Sequence, residues 1–303
     1  MKIGLPKALL YHRYGYLWET FFRQLGCEVI TSQDTNQIIL ANGIASSVSE
    51  CCLPVKVYLG HIRELSGKCD YILVPRFERT GKNEEFCARF WGLPDIVCST
   101  MENINILTYN LCGGKGGELS CFLDLAIKLC RSPAHGIVAY RRAKKAQEDA
   151  DMSARRKQEL ELSSSKIKVL LAGQPYILHD GFIGAPMARM IEGQGAIPVY
   201  SDLCDRSICR MGSGTLSHDL YWTINKEIIG SIPLMKNQVD GVVLITPFPC
   251  GTDSLVNELV LRRVKDIPVT HIVLDEQQAE AGLETRIECF IDILKERRCS
   301  NAS

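Results

Sequence analysis

The chain has 303 residues, its 35 lysines and arginines balance 35 acidic residues, and it carries 14 cysteines. That length can bury a core without any covalent staple, in one large domain or two ordinary ones. The charge balance gives no electrostatic case for nucleic acid or an anionic membrane, and no apolar run approaches the roughly 18 residues of a bilayer span.

The start, MKIGLPKALLY, reaches Pro6 and Lys7 before any signal-like apolar run of roughly 7–15 residues. We therefore expect a cytoplasmic chain. Thiols stay reduced there, and a surplus of them points to metal or redox chemistry, with the remaining cysteines acting as small core residues.

KIGLP (2–6) reads as a strand. Leu17, Phe21 and Leu25 then fall on one helical face, Gly26 is placed to cap that helix, and CEVITS (27–32) forms the next strand. In ECCLPVK (50–56), Pro54 suits the first turn of a helix over PVKVYLGHIREL, with Cys52 just ahead of it. A helix N-terminus favours a thiolate over a thiol, which is what metal binding requires. Cys51 either shares this role or faces the core. DYILVP (70–75) is a third strand, Cys87 lies in the loop beyond it, and NINILTYN (103–110) is a fourth apolar run. CGGKGGELS (112–120) has a phosphate-loop look but lacks the Lys-Ser/Thr ending, so it reads as a glycine turn before a helix.

Residues 136–165 are polar nearly all round and read as a solvated helical linker between a lobe over 1–135 and a second over 166–303. The second lobe repeats the first. KVLLAG (168–173), a helix with Met187, Met190 and Ile191, Gly195 and AIPVYS (196–201) follow the plan of residues 2–32. From Gly26 to Asp70 is 44 residues, and from Gly195 to Asp240, which opens DGVVLITPF, is 45. IPVTHIVLD (267–275) matches the fourth run. Short apolar runs alternating with helical patterns indicate parallel strands joined by crossover helices, hence two small α/β lobes. At the end, Thr285-Arg286-Ile287-Glu288 fits a capping box, and Ile287, Phe290, Ile291 and Leu294 form a stripe. Cys289 and Ile293 lie opposite that stripe and suggest a second packing surface. Cys299 falls in a frayed tail.

In open parallel sheets, ligands gather outside the carboxyl ends of the strands. Cys250, in PFPCGTD, follows the third strand of the second lobe as Cys87 follows that of the first. Both would face a cleft between the lobes, and Cys52 completes the set. Sequence gaps of 35 and 163 and the lack of CxxC pairs fit a structural zinc site poorly. Soft thiolates also select iron–sulfur clusters, and packed core thiols are the competing account. Cys204 and Cys209, flanking DRSI, are candidates for further ligands. Cys27, Cys69, Cys98, Cys112, Cys121 and Cys130 are expected to pack. His179 and Asp180, after GQPYIL, are candidates for substrate binding or proton transfer, against a turn histidine and a helix-capping aspartate.

With these residues in view, the sequence resembles the 2-hydroxyacyl-CoA dehydratase and benzoyl-CoA reductase component superfamily, in the branch described as CoA-substrate-specific enzyme activase. The matching pieces are ECCLPVKVYLGH (50–61), DYILVPR (70–76), CARFWGLPD (87–95), GQPYILHD (173–180), FPCGTDS (248–254) and DEQQAEAGLETRIECFID (275–292). The resemblance implies two flavodoxin-like lobes with an iron–sulfur cluster between them. In the dehydratases three cysteines hold a [4Fe-4S] cluster, and a related branch holds a double-cubane [8Fe-9S] cluster with more. Cys52, Cys87 and Cys250 match the three, and Cys51 is the variable neighbour. Cys-Ala-Arg stands where Cys-Pro is common, and Phe-Pro-Cys-Gly where Phe-Gly-Cys-Gly is common; neither departure removes a thiol.

The implied role is an iron–sulfur component of an ATP-dependent reductase system, accepting electrons from a separate acetate-kinase-like activator ATPase, since this chain has no ATP motif of its own. The alternatives are a dehydratase-type subunit acting on an acyl-CoA and a non-catalytic scaffold that binds the activator. The sequence leaves the substrate, the cluster nuclearity and the oligomeric state open.

Overall fold

The computed structural model describes residues 1–113, 117–277 and 280–302. It divides into two compact units, Met1–Met152 with Tyr221–Thr223, and Ser153–Leu220 with Ile224–Ser303. In chain order the first unit contains β1 (Lys2–Leu5), α1 (Tyr11–Gln24), β2 (Glu28–Thr31), α2 (Gln37–Ala45), α3 (Leu53–Leu65), β3 (Tyr71–Leu73), β4 (Arg76–Gly81) and β5 (Glu84–Glu85). It continues through α4 (Ala88–Trp91), α5 (Leu93–Thr100), β6 (Ile106–Leu107), β7 (Asn110–Cys112) and α6 (Gly117–Lys128). Helix α7 (Pro133–Leu162) starts in the first unit and ends in the second. The second unit follows with β8 (Lys168–Ala172), α8 (Pro175–Leu178), α9 (Ala185–Gly193), β9 (Ile197–Tyr200), α10 (Arg206–Gly212) and α11 (Thr223–Met235). It closes with β10 (Gly241–Pro247), α12 (Gly251–Arg263), β11 (Val269–Leu274) and α13 (Glu280–Ala302).

Each unit is built on a four-stranded parallel sheet, β2-β1-β3-β6 in the first and β9-β8-β10-β11 in the second. Read in order of appearance, both sheets run 2-1-3-4, the order of flavodoxin-like doubly wound folds, which places a switch point between strands 1 and 3. The correspondence extends to single hydrogen bonds. The Lys2 amide donates to Asp70 Oδ2 at 2.7 Å, and the Lys168 amide donates to Asp240 Oδ2 at 2.8 Å. Gly26 (φ 74°) and Gly195 (φ 78°) both take the left-handed conformation that ends the first helix of each sheet, as their sequence positions predict.

The first core is aromatic. Phe21, Phe22, Phe77 and Phe122 are fully buried, and Phe122 meets Phe21 edge-on at 4.7 Å. Helix α3 packs on α2 through glycines, because a Cβ on Gly60 would lie 2.0 Å from the Ile39 carbonyl oxygen and one on Gly43 1.9 Å from that of Lys56. On α7, Ala139 and Ala143 are buried, and the amide of Gln147 accepts from the Leu17 N–H at 3.1 Å. Gln158 pairs with the β9 edge in both directions, accepting from the Tyr200 N–H at 2.7 Å and donating to its carbonyl at 3.1 Å. A mostly polar helix is held in this way by side chains that act as backbone.

Four expectations from the sequence need correction. Residues 77–92 are not a plain loop: β4 pairs with β5 and β7 in a small sheet of order β5-β4-β7. Phe77, Phe86 and Phe90 pack on one another there, with centroids 5.2 and 5.8 Å apart. Helix α13 begins at Glu280, so Thr285 lies inside it and not at its start; residues 280–284, ahead of Thr285, extend the helix. Its stripe is as expected, with Ile287, Phe290, Ile291 and Leu294 buried, but Cys289 and Ile293 are exposed and form no second packing face among the described residues. Of the cysteines expected to pack, Cys98, Cys112 and Cys130 are exposed; Cys27 and Cys121 are buried.

Candidate functional site

No disulfide joins the described cysteines. Cys52 is the N-cap of α3, with Pro54 in the first turn as predicted, and its backbone carbonyl accepts from the Val55 N–H at 3.0 Å. Cys51, beside it, is buried. Cys87 is the N-cap of α4 and accepts from the Arg89 N–H at 3.4 Å. Although 35 residues apart in sequence, Cys52 and Cys87 lie within electrostatic reach of each other, and Arg89 adds a positive charge.

The helix start does not by itself make Cys52 a thiolate. Burial pushes the thiol up to about 11, the Cys87 and Cys51 sulfurs push the same way, and the Val55 N–H and Arg89 only partly offset them. Desolvation of the sulfur outweighs the helix terminus.

The second unit places Cys250 at the N-cap of α12, directly beyond β10, with its sulfur 3.4 Å from the Thr252 hydroxyl. Next to it is a buried polar group absent from the sequence reading. Asp253 Oδ1 accepts from Gln174 Nε2 and from Asn225 Nδ2, both at 2.7 Å, and the Cys250 thiol lies beside the carboxylate. Burial raises the Asp253 pKa, and the donated hydrogen bonds only moderate the rise. Gln174 follows β8 and Asp253 follows β10, so this group sits where strands 1 and 3 of the sheet diverge. Gln174 Oε1 is buried without a hydrogen-bond partner among the described residues. The available signal was CGTD, an acid in the first turn of a helix that starts at a cysteine.

Cys204 and Cys209 are both buried in the second unit, Cys204 just before the cap of α10 and Cys209 within that helix. His179 Nε2 pairs with Asp202 at 2.8 Å and stacks beside Tyr200. Burial lowers its pKa, but the Asp202 carboxylate more than compensates and the net shift is upward. Asp180 accepts from the Phe182 and Ile183 N–H groups at 2.9 and 2.8 Å and so shapes the turn into α9. The glycine-rich CGGKGGELS stretch lies partly outside the described residues, since 114–116 are not among them. A cavity of about 400 Å³ in the first unit, lined by Arg76, Asp95, Cys98, Thr108, Asp124 and Lys128 among others, contains none of the predicted site residues. Among the described residues of either unit, no three His, Cys, Asp or Glu side chains converge as a preformed metal-ligand group. Nor is any described helix long and apolar enough to cross a membrane.

A model of the family described as "CoA enzyme activase uncharacterised domain (DUF2229)" matches residues 2–203. The chain belongs to this CoA enzyme activase family. The matched region contains Cys51, Cys52 and Cys87, whereas Cys204, Cys209 and Cys250 lie beyond it. No curated protein matches the chain. Among solved structures, the chain is similar to the SBP FpvC from Pseudomonas aeruginosa in complex with Mn2+, at 11% identity and TM-score 0.27, over 98% of this chain and 99% of that one. It is also similar to the Streptococcus pneumoniae AdcAII protein, at 8% identity and TM-score 0.31, over 95% and 97%. At these scores neither protein determines the fold or a ligand of this chain.

Proposed function

We propose that this member of the CoA enzyme activase family is the iron–sulfur component of an ATP-dependent low-potential reductase system. It takes electrons from a separate activator ATPase of the acetate-kinase-like class. The observation that carries this reading is the placement of the cysteines: Cys52 and Cys87 lie within electrostatic reach of each other in the first unit, and Cys250 directly follows β10 in the second.

The donor set fits a cluster. Thiolates are its preferred ligands, and two of the three sulfurs have hydrogen-bond partners, Cys87 in the Arg89 N–H and Cys250 in the Thr252 hydroxyl. When bound, the cluster supplies one-electron storage at low potential. Cys52, Cys87 and Cys250 would hold it in the one-cubane reading, and Cys51, Cys204 and Cys209 would be the next ligands to test in the double-cubane reading. These two hydrogen bonds, together with the burial around Cys52, would tune the potential.

The test is anaerobic purification with iron and sulfide analysis of the wild type and of Cys52→Ser, Cys87→Ser and Cys250→Ser. Serine is a good N-cap, so these variants keep their helix starts and iron loss reports ligation. About four irons per wild-type chain are expected, with most lost in each variant and none in Cys299→Ser. Full iron in all three variants overturns the assignment. The loaded protein, mixed with reduced activator, should then be reduced faster with ATP than with a non-hydrolysable analogue. Equal rates rule out ATP-gated transfer.

A further inference from the structure

Three elements of the first unit converge on the cavity of about 400 Å³, a volume within the range of small-molecule pockets. Its floor is the extended run from β6 to β7, where Ile106, Thr108 and Asn110 alternate and so share one side. The Arg76 N–H bonds the Tyr109 carbonyl at 2.9 Å and brings Arg76 alongside this run. One wall is α6, on which Cys121, Asp124 and Lys128 fall at i, i+3 and i+7, a single helical face. The other is α5, with Asp95 and Cys98 one turn apart. Arg76 and Thr108 lie just beyond the ends of β3 and β6, the edge at which open parallel sheets gather ligands.

The charged groups of this cavity do not cancel among themselves. Arg76 Nη1 pairs with Asp95 at 2.8 Å and donates to the Trp91 carbonyl at 2.6 Å, which leaves the Nε and Nη2 edge of the guanidinium unengaged among the described residues. Lys128 stands four residues after Asp124, the favourable order for a helical ion pair. It donates instead to the Thr108 carbonyl at 2.8 Å, and Asp124 makes no hydrogen bond or ion pair among the described residues. Thr108 Oγ1 is shielded from solvent and also has no hydrogen-bond partner among them. We propose that this cavity binds a free α-amino acid. Its carboxylate lies between Lys128 and the open edge of Arg76, which suits a two-point carboxylate bond, and its ammonium group faces Asp124. Pro94 and Ile106 supply apolar surface for an aliphatic side chain. A simple anion would be opposed by Asp124, and a simple amine would meet two cations. Only a ligand that carries both charges matches all three groups.

The test uses the full-length chain and two probes, L-alanine and L-norleucine. Each is paired with the carboxylate and the amine that lack one of its charges: propionate and ethylamine, hexanoate and pentylamine. Occupancy is read as protection of Cys98, which is exposed and lines the cavity, against iodoacetamide, with the exposed Cys299 as internal reference in the peptide map. Calorimetric titration gives the affinities. At least one amino acid should slow alkylation of Cys98 severalfold without affecting Cys299, and should bind roughly tenfold or more tightly than either of its one-charge analogues. Asp124→Asn and Lys128→Met, both at exposed positions, should keep the fold and weaken binding by a similar factor. Protection of Cys98 by neither amino acid overturns the proposal. Equal binding of the matched carboxylate, or undiminished binding by Asp124→Asn, overturns it too, since either would make the cavity a plain anion site. Cys52, Cys87 and Cys250 do not line the cavity, so this result stands apart from iron content.

Discussion

Gly60→Ala tests the packing that positions α3 and, at its start, Cys52. The added Cβ would lie 2.0 Å from the Ile39 carbonyl oxygen and 3.0 Å from Ile39 Cγ2. Carbon contacts are comfortable at about 3.5 Å, so α3 and α2 must part by roughly 1.5 Å. A gap of that size forfeits more than half of the attraction between the facing surfaces, which include the buried Ile39, Leu40, Leu59 and Ile62. Overpacking of this kind costs about 1–3 kcal/mol and here belongs at or beyond the upper end, less the roughly 1 kcal/mol that alanine gains over glycine in a helix. We expect a net loss of about 2–3 kcal/mol by denaturant unfolding, with unchanged m. Gly43→Ala should behave alike, since its Cβ would meet the Lys56 carbonyl at 1.9 Å, and the double variant should lose less than the sum because the helices are already apart. Gly193→Ala, on α9 with open space around its Cβ, is the control and should be neutral or stabilising. Gly60→Ala indistinguishable from that control would show that the two helices are not in backbone contact.

His61 is fully buried, with Nδ1 on the Ser32 hydroxyl at 2.8 Å and Nε2 on that of Thr35 at 2.9 Å. Burial, followed by His12 and Lys7, lowers its pKa from 6.5 to about 3, and Asp34 opposes this weakly. A depressed folded-state value means that stability is full above pH 6.5 and is lost as pH falls towards 3, because the unfolded chain takes the proton first. Between pH 7 and 4.5 the wild type should lose about 2–3 kcal/mol more than His61→Gln in urea unfolding; parallel pH profiles would refute the buried neutral imidazole. Gly26→Ala and Gly195→Ala occupy equivalent left-handed positions with no backbone atom within 4 Å of the new Cβ, so each should cost about 1 kcal/mol from strain alone. Clearly unequal costs, read as shifts in midpoint, would argue against the equivalence of the two helix ends.

The parallel sheets were legible because their strands are continuous apolar runs and because the pattern occurs twice. A single copy of KIGLP or DYILVP is ambiguous, whereas a second copy with the same glycine and aspartate at nearly the same spacing is not. The two glycines proved to be left-handed, and the two aspartates make the same bond to the first strand. What stayed hidden was short and irregular. Strands β4 and β5 carry charged residues in FERTGKNEE, and their packing depends on Phe77, Phe86 and Phe90, of which Phe77 and Phe86 are related by neither a helical nor an alternating spacing. The start of α13 was misplaced because a good capping sequence within a strong helix former is simply incorporated into the helix.

At the candidate site, positions were readable and energetics were not. Pro54 announced the helix that begins after Cys52, and the repeat placed Cys250 at a strand end. Neither reveals how deeply a sulfur is buried, and depth is the quantity that reverses the expected thiolate at Cys52. The Gln174–Asp253–Asn225 group was out of reach for a related reason. Its members lie 79 and 28 residues apart along the chain and meet only because strands 1 and 3 of the sheet are neighbours. A parallel sheet collects side chains at its carboxyl edge from segments that share no local pattern, so the strand order must be known before such a group can be assembled. Cys204 and Cys209 are the converse. They fall just before the cap of α10 and at its fourth residue, and the capping Asp205 beside Cys204 marks that relation in the sequence.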